Sequence, residues 1–422
     1  MTQVLLRRVR LLDPETQTDR VTDVLLADGQ IQTIADSLPL EPNRQEMACN
    51  GFVLGPGLVD LYSHSGEPGF EDRETLASLL AAGLAGGFTR LTLLPDTQPT
   101  IDNPASLTAL HQKHQSLATQ TSPLPALSCW ASLTIDGKGQ QMAELGELAE
   151  WGAIGFADGK PLSNLVLVRR LLEYLNPLGK PVALWPCHPD LVGNGVMREG
   201  SASLRIGLPG NPAFTETSAL AALLELIEAI GTPVHLMRIS TARSVDLIRT
   251  AKSRGLPITA STSWLHLILN TEALQSYHPA LHLAPPLGNP GDQDALIQGV
   301  KDGTLDVIAI DHTPYTYEEK TVAFAEAPPG AIGLEFALPL LWQSLVRPGL
   351  LTPLELWTAL SLRPTQCLQQ SPGTIAPGQK AELALFNPDQ PWVVRASTLH
   401  SLARNTSWLG QEIQGKVVQV WC

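Results

Sequence analysis

The sequence predicts an α/β protein: a closed barrel of eight parallel strands alternating with helices, joined to a small β-sandwich built from both chain ends. Three observations predict it. Eight apolar, strand-like runs recur through the middle of the chain, helical patterns separate most of them, and both ends read as short strands linked by tight turns. Strands alternating with helices favour parallel βα units, and eight such units favour closure into a barrel.

In chain order, residues 1–53 carry strand patterns at Val4–Leu12, Asp23–Ala27 and Gln30–Ala35, the last two joined by an Asp28-Gly29 turn. The barrel strands are expected at Leu58–Tyr62, Leu91–Leu94, Ala126–Leu133, Ile154–Asp158, Val182–Pro186, Val234–Ile239, Ile258–Thr262 and Val307–Asp311. Helical periodicity marks Glu74–Ala85, Glu216–Ile230, Ala242–Lys252 and Gln293–Lys301 between them. After residue 365 the strand texture returns, at Ala381–Phe386 and Lys416–Trp421. Residues 1–53 and 366–422 therefore form one expected composite β-sandwich domain, and residues 54–365 the barrel domain.

Composition narrows the class. A hydrophobic content of 44% with 16% charged residues indicates a well-buried protein. The net charge of −13 disfavours nucleic acid and anionic membranes as partners, because both repel an acidic surface. Cys49, Cys129, Cys187, Cys367 and Cys422 are odd in number and contain no CxxC pair, which argues against a disulfide framework or thiolate zinc site. The N-terminal stretch lacks a signal-peptide pattern, and no apolar run reaches the ~18 residues that span a bilayer. The expectation is a soluble, cytoplasmic protein.

Chemistry in such barrels sits at the C-terminal ends of the strands. The first of these reads Pro56-Gly57-Leu58-Val59-Asp60-Leu61-Tyr62-Ser63-His64-Ser65-Gly66-Glu67-Pro68-Gly69. It resembles the PGLVDxHxHxREPG motif of the dihydroorotases, in the amidohydrolase superfamily. Further segments resemble the same family in order: Gly86-Gly87-Phe88-Thr89, Leu94-Pro95-Asp96-Thr97-Gln98-Pro99, Asp158-Gly159, Gly195 to Gly200, Ser240-Thr241-Ala242, Pro285-Pro286-Leu287, Asp311-His312-Thr313-Pro314 and Gly333-Leu334-Glu335. The resemblance covers nearly the whole chain and implies a TIM-type metal-hydrolase barrel acting in pyrimidine biosynthesis.

Carried over residue by residue, the resemblance implies a depleted site. Of six family metal ligands, His64, Asp158 and Asp311 remain, while Tyr62, Trp185 and Arg238 stand where histidines are expected. Asp311 is also the position of the family's proton shuttle. In the substrate shell, Gly66 replaces the carboxylate-gripping arginine and Asp96 an asparagine. Ala284 and Gly288 alter the NPPLR motif, and Tyr315 replaces the second histidine of DHAPH.

The replacements are chemically unsuited to zinc. An indole N–H only donates, a guanidinium offers five donors and no acceptor, and a phenol ligates only as phenolate, against an ordinary pKa near 10. Binuclear zinc is not expected; at most one zinc, on His64, Asp158 and Asp311, remains open. Buried carboxylates without a metal need a cationic partner, so Arg238 is expected to pair with Asp158 or Asp311, with Trp185 filling the freed volume. His188, His235 and His312 are read as structural, and His111 and His114 as solvated on an outer helix.

Two functions follow. The leading one is a catalytically degenerate dihydroorotase homologue, a homo-oligomer that serves as a structural partner of aspartate carbamoyltransferase, as the resemblance to inactive homologues implies. The alternative is a mononuclear zinc dihydroorotase or cyclic-amide hydrolase interconverting dihydroorotate and carbamoyl aspartate, with Asp311 moving the proton.

Overall fold

The computed structural model describes residues 3–39, 41, 44–121 and 123–422. Eight parallel strands run through its centre: Leu58–Ser63, Phe88–Leu93, Ala126–Ala131, Gly155–Phe156, Ala183–Leu184, Val234–Leu236, Ile258–Ser263 and Val307–Ala309. Each of the eight expected runs contributes one. The first four pair in order, as do the last four, and a parallel bridge from Phe156 to Val182 joins the two sets. The ring closes where the Asp311 N–H donates to the Tyr62 carbonyl at 3.2 Å and the His64 N–H to the His312 carbonyl at 2.8 Å.

Helices pack outside, among them Leu76–Ala85, Phe214–Ile230, Ala242–Ser253 and Pro290–Asp302. Their starts follow from local chemistry. Thr75 and Thr241 each accept from a backbone N–H three residues on, and Asn289 precedes a proline at the first helical turn. Their apolar faces and the outward side of the strands form one large core. Inside the barrel a smaller cluster contains Leu61, Tyr62, Trp130, Ala157, Ala183 and Met237. Among the described residues no helix is long and apolar enough to cross a membrane.

The chain ends build a single seven-stranded sheet with its own apolar cluster. Leu383–Val393 lies between Glu412–Trp421 and Val53–Pro56, and Val53–Pro56 in turn pairs with Gln3–Asp13. Both chain ends thus meet in one hydrogen-bonded sheet, with Val53–Pro56 leading directly into the first barrel strand.

Several barrel strands stop earlier than their apolar runs. The sixth ends at Leu236 and the eighth at Ala309, short of Ile239 and Asp311. The backbone explains this: Arg238 and Asp311 adopt left-handed conformations, with φ of 56° and 51°. Such angles are uncommon outside glycine and turn the chain off the strand path. The two turns aim both side chains across the barrel mouth.

Candidate functional site at the barrel mouth

Arg238 is the hub of the mouth and is almost fully buried. Its Nε donates to Asp311 Oδ2 at 2.8 Å and its Nη2 to Asp311 Oδ1 at 2.7 Å, a bidentate pair. Nη1 donates to the Gly159 carbonyl at 2.8 Å. Nη2 also lies 2.9 Å from His64 Nε2. The guanidinium carbon stands 4.7 Å from the Trp185 ring centre and 5.8 Å from that of Tyr62, within cation–π range. The expected pairing of Arg238 is therefore present, with Asp311 as its partner.

Electrostatics agree with this geometry. Burial would raise the Asp311 carboxyl, but the Arg238 charge and hydrogen bonds from His64 and Arg238 hold it well below the carboxylate range. Burial would likewise lower Arg238, and Asp311 reverses that, keeping the guanidinium charged. Tyr62 is fully buried, and burial pushes its phenol upward, so it stays protonated. Its hydroxyl accepts from the Arg238 backbone N–H at 3.2 Å and lies 2.9 Å from Ser261 Oγ.

His64 is held between two carboxylates. Its Nδ1 lies 2.6 Å from Asp96 Oδ2, and its Nε2 is 3.5 Å from Asp311 Oδ1. Burial and Arg238 favour the neutral ring. The Asp96 charge and hydrogen bonds to Asp311 and Asp96 outweigh them and lift His64 to about 9. The two charge states make different contacts. The neutral ring accepts from Arg238 Nη2 at 2.9 Å, and the cation turns its Nε2 proton towards Asp311 Oδ1 at 3.5 Å. Asp96, in turn, is lowered, with the His64 charge overcoming burial.

Asp158 lies elsewhere. Its Oδ1 accepts from Ser132 Oγ at 2.8 Å and from the Leu133 and Thr134 N–H groups at 2.7 and 3.1 Å, and its Oδ2 from Thr134 Oγ1 at 2.6 Å. Burial nevertheless leaves its carboxyl above the usual value. The fourth strand ends at Phe156, and the residue it turns into the barrel cluster is Ala157. Strand side chains alternate between faces, so the next residue, Asp158, points to the neighbouring loop. The structure therefore brings His64 and Asp311 together with Arg238 and leaves Asp158 out.

This donor set does not fit a metal centre. A guanidinium nitrogen touches both His64 Nε2 and Asp311, and both Asp158 oxygens are engaged by hydroxyls and amides. Among the described residues no three His, Cys, Asp or Glu side chains are grouped to hold a metal ion. The single-zinc set of His64, Asp158 and Asp311 is not assembled, and Trp185 and Tyr62 flank the cation instead.

The mouth encloses a cavity of about 240 Å³. Gly66, Asp96, Ala284 and Tyr315 line it as the motif alignment anticipates, whereas Gly288 does not. The loss at Gly66 is also one of space. A Cβ there would lie 2.3 Å from the Glu74 carbonyl oxygen and 2.4 Å from that of Phe70. At Gly288 it would lie 2.6 Å from Asp292 Cβ. Two cations that the motif reading missed also face the cavity. Arg73 forms an ion pair with Glu319, with its guanidinium carbon 4.3 Å from the Phe70 ring centre and 5.0 Å from that of Tyr315. Lys160 is exposed at the rim, two residues after Asp158. For Lys160 the available signal was a basic residue a few positions beyond the strand end at Phe156.

His266 also lines the cavity, with burial lowering its ring to about 4 and its Nδ1 without a partner among the described residues. His235 bonds Thr259 and Ser261, and His312 Nδ1 accepts from the Gly333 N–H. His111 and His114 are half-buried, not solvated, and His114 reaches the Pro125 carbonyl at 3.0 Å. Each cysteine is free.

Residues 51–244 match the family model described as dihydro-orotase-like. The chain is 44% identical over 436 residues to a probable dihydroorotase-like protein of Synechocystis sp., with 97% of this chain and 98% of that protein covered. It is 37% identical over 416 residues to a dihydroorotase of Pelobacter propionicus, with coverage of 98% and 97%. Among solved structures, the L-hydantoinase (dihydropyrimidinase) of Arthrobacter aurescens superposes with a TM-score of 0.82 at 20% identity, covering 99% of this chain and 94% of that one. That likeness shows the fold, a TIM-type barrel with a β-sandwich. The chain belongs to the dihydroorotase-like family.

Proposed function

We propose that this chain is a dihydroorotase-family protein without metal-dependent hydrolase activity, acting in the cytoplasm as a homo-oligomeric structural partner of aspartate carbamoyltransferase in pyrimidine biosynthesis. The observation that carries the loss of hydrolysis is the bidentate Arg238–Asp311 pair. Zinc would supply a water of lowered pKa as nucleophile. Here the positive charge that faces Asp311 is a guanidinium, which neutralises a carboxylate but has no site for water as a ligand.

The same pair argues against Asp311 as a metal-free base. A general base works best with a pKa near the operating pH, and Arg238 drives Asp311 far the other way. The family's grip on an anionic substrate is lost too, because the Gly66 backbone leaves no room for a side chain and the nearby Arg73 is engaged by Glu319. The single-zinc hydrolase would need His64, Asp158 and Asp311 around one ion, and Asp158 is turned to Ser132 and Thr134 instead.

The scaffold role and its partner rest on the resemblance to degenerate family members. An intact barrel whose mouth holds a guanidinium against Asp311 is consistent with a protein whose surface carries its function. The test has two arms, dihydroorotate turnover by the purified protein and co-purification with the transcarbamoylase of the same source. Absent turnover with a stable complex supports the proposal. Turnover, or the absence of any complex, overturns the corresponding half.

A further inference from the structure

A second cavity, of about 320 Å³, lies beside the mouth and shares Trp185, Leu283, Ala284 and Pro329 with it. Its wall is mainly apolar, with Pro161, Pro186, Pro189, Pro285 and Pro286 around it. One cationic side chain, Arg198, lines it and is 1% exposed. Nη2 of Arg198 donates to Ser240 Oγ at 2.7 Å, and Nη1 reaches the Asn211 carbonyl at 3.4 Å. Its Nε has no hydrogen-bond partner among the described residues.

A buried donor left unmatched is costly, so an unmatched one calls for an explanation. The charge itself is already balanced. Ser240 Oγ also donates to Glu216, so the hydroxyl links guanidinium to carboxylate. Both Glu216 oxygens are engaged by the N–H and hydroxyl groups of Ser240 and Thr241. The single Thr215 hydroxyl proton is shared between Asn211 Oδ1 and the Pro212 carbonyl, and burial holds the Cys187 thiol up at about 11, neutral. What the cavity offers is a mainly apolar wall, the His282 ring, which burial holds low and whose Nδ1 lies 2.6 Å from the Ala327 carbonyl, and Arg198, whose Nε is the one guanidinium nitrogen without a partner. The size falls within the range of small-ligand sites, which combine apolar walls with a few polar groups.

We infer that this cavity is a binding site for a small, uncharged, mainly apolar molecule carrying one carbonyl-type acceptor, which meets Arg198 Nε. A carboxylate is disfavoured because Glu216 stands in the same wall. The site is distinct from the family's mouth and independent of whether the mouth binds metal.

The test uses the full-length protein and three probes: acetophenone, ethylbenzene as its carbonyl-free counterpart, and benzoate as its anionic one. Binding is followed by ligand-observed NMR and located by a crystal soak. Acetophenone is expected to bind saturably in this cavity, roughly tenfold or more tighter than ethylbenzene, as a hydrogen bond to a charged donor implies. Arg198→Met should bring the two probes level, and Cys187→Phe, which fills the cavity, should abolish both. Absence of saturable binding, equal affinity of acetophenone and ethylbenzene for the unmodified protein, or a preference for benzoate would each overturn the inference. The probe comparison decides even if either variant fails to fold.

Discussion

Arg238 and Asp311 hold each other through two parallel hydrogen bonds, Nε to Oδ2 at 2.8 Å and Nη2 to Oδ1 at 2.7 Å. Both project from left-handed backbone, at φ of 56° and 51°, just past the ends of the sixth and eighth strands. The pair balances the charge at the base of the mouth cavity, which both residues line.

Removing one member alone leaves a buried charge uncompensated. Arg238→Met is expected to destabilise the fold by about 3–5 kcal/mol in denaturant unfolding, whereas the double change Arg238→Met with Asp311→Leu recovers most of it. Equal losses in the single and double variants would show that the pair contributes only packing.

Asp96 sets the charge of His64. With the Asp96 charge the chief force opposing burial, Asp96→Asn should lower the His64 titration from about 9, read from the ring nitrogens by NMR. An unchanged midpoint would assign the shift to Asp311 alone.

Acid should loosen the mouth in a defined window. The folded Asp311 carboxyl lies below its ordinary value of 3.8. The unfolded chain therefore takes up its proton first, so this stabilisation is full above that value and is lost as pH falls towards the folded pKa. Thermal unfolding between pH 7 and acid should show a decline below about pH 4 that Asp311→Asn flattens. A decline of identical steepness in the variant would place its origin in other carboxylates.

Restoring the family arginine at position 66 should not restore binding. The added Cβ falls 2.3 and 2.4 Å from two backbone carbonyl oxygens, and overpacking of this kind typically costs about 1–3 kcal/mol. Gly66→Arg is expected to lose stability in thermal unfolding without gaining calorimetrically detectable dihydroorotate affinity. Gained affinity at full stability would mean that the loop yields easily.

Much of this was legible in the sequence because it depends on residue chemistry and coarse periodicity. All eight strands, the shared terminal sheet, the Arg238–Asp311 pair and the ring of Trp185 beside the cation follow from such features. What escaped depends on single-residue register and backbone spacing. Asp158 looked like a metal-bridging carboxylate, yet the strand ends at Phe156 and Ala157 takes the inward face. A shift of one residue exchanges the two faces of a strand, and a motif match alone does not fix that register. The closure around Gly66 was equally invisible, because the carbonyls that fill its side-chain space belong to Phe70 and Glu74 on the returning loop.

The central claim is that a guanidinium occupies the chemical role of the cations at this mouth. Its most direct test is the metal content of the protein expressed with zinc and purified without chelators, determined by elemental mass spectrometry alongside Arg238→His. The account predicts substoichiometric zinc in the unmodified protein. One tightly held zinc per chain, lost together with dihydroorotate turnover on chelation, would contradict it.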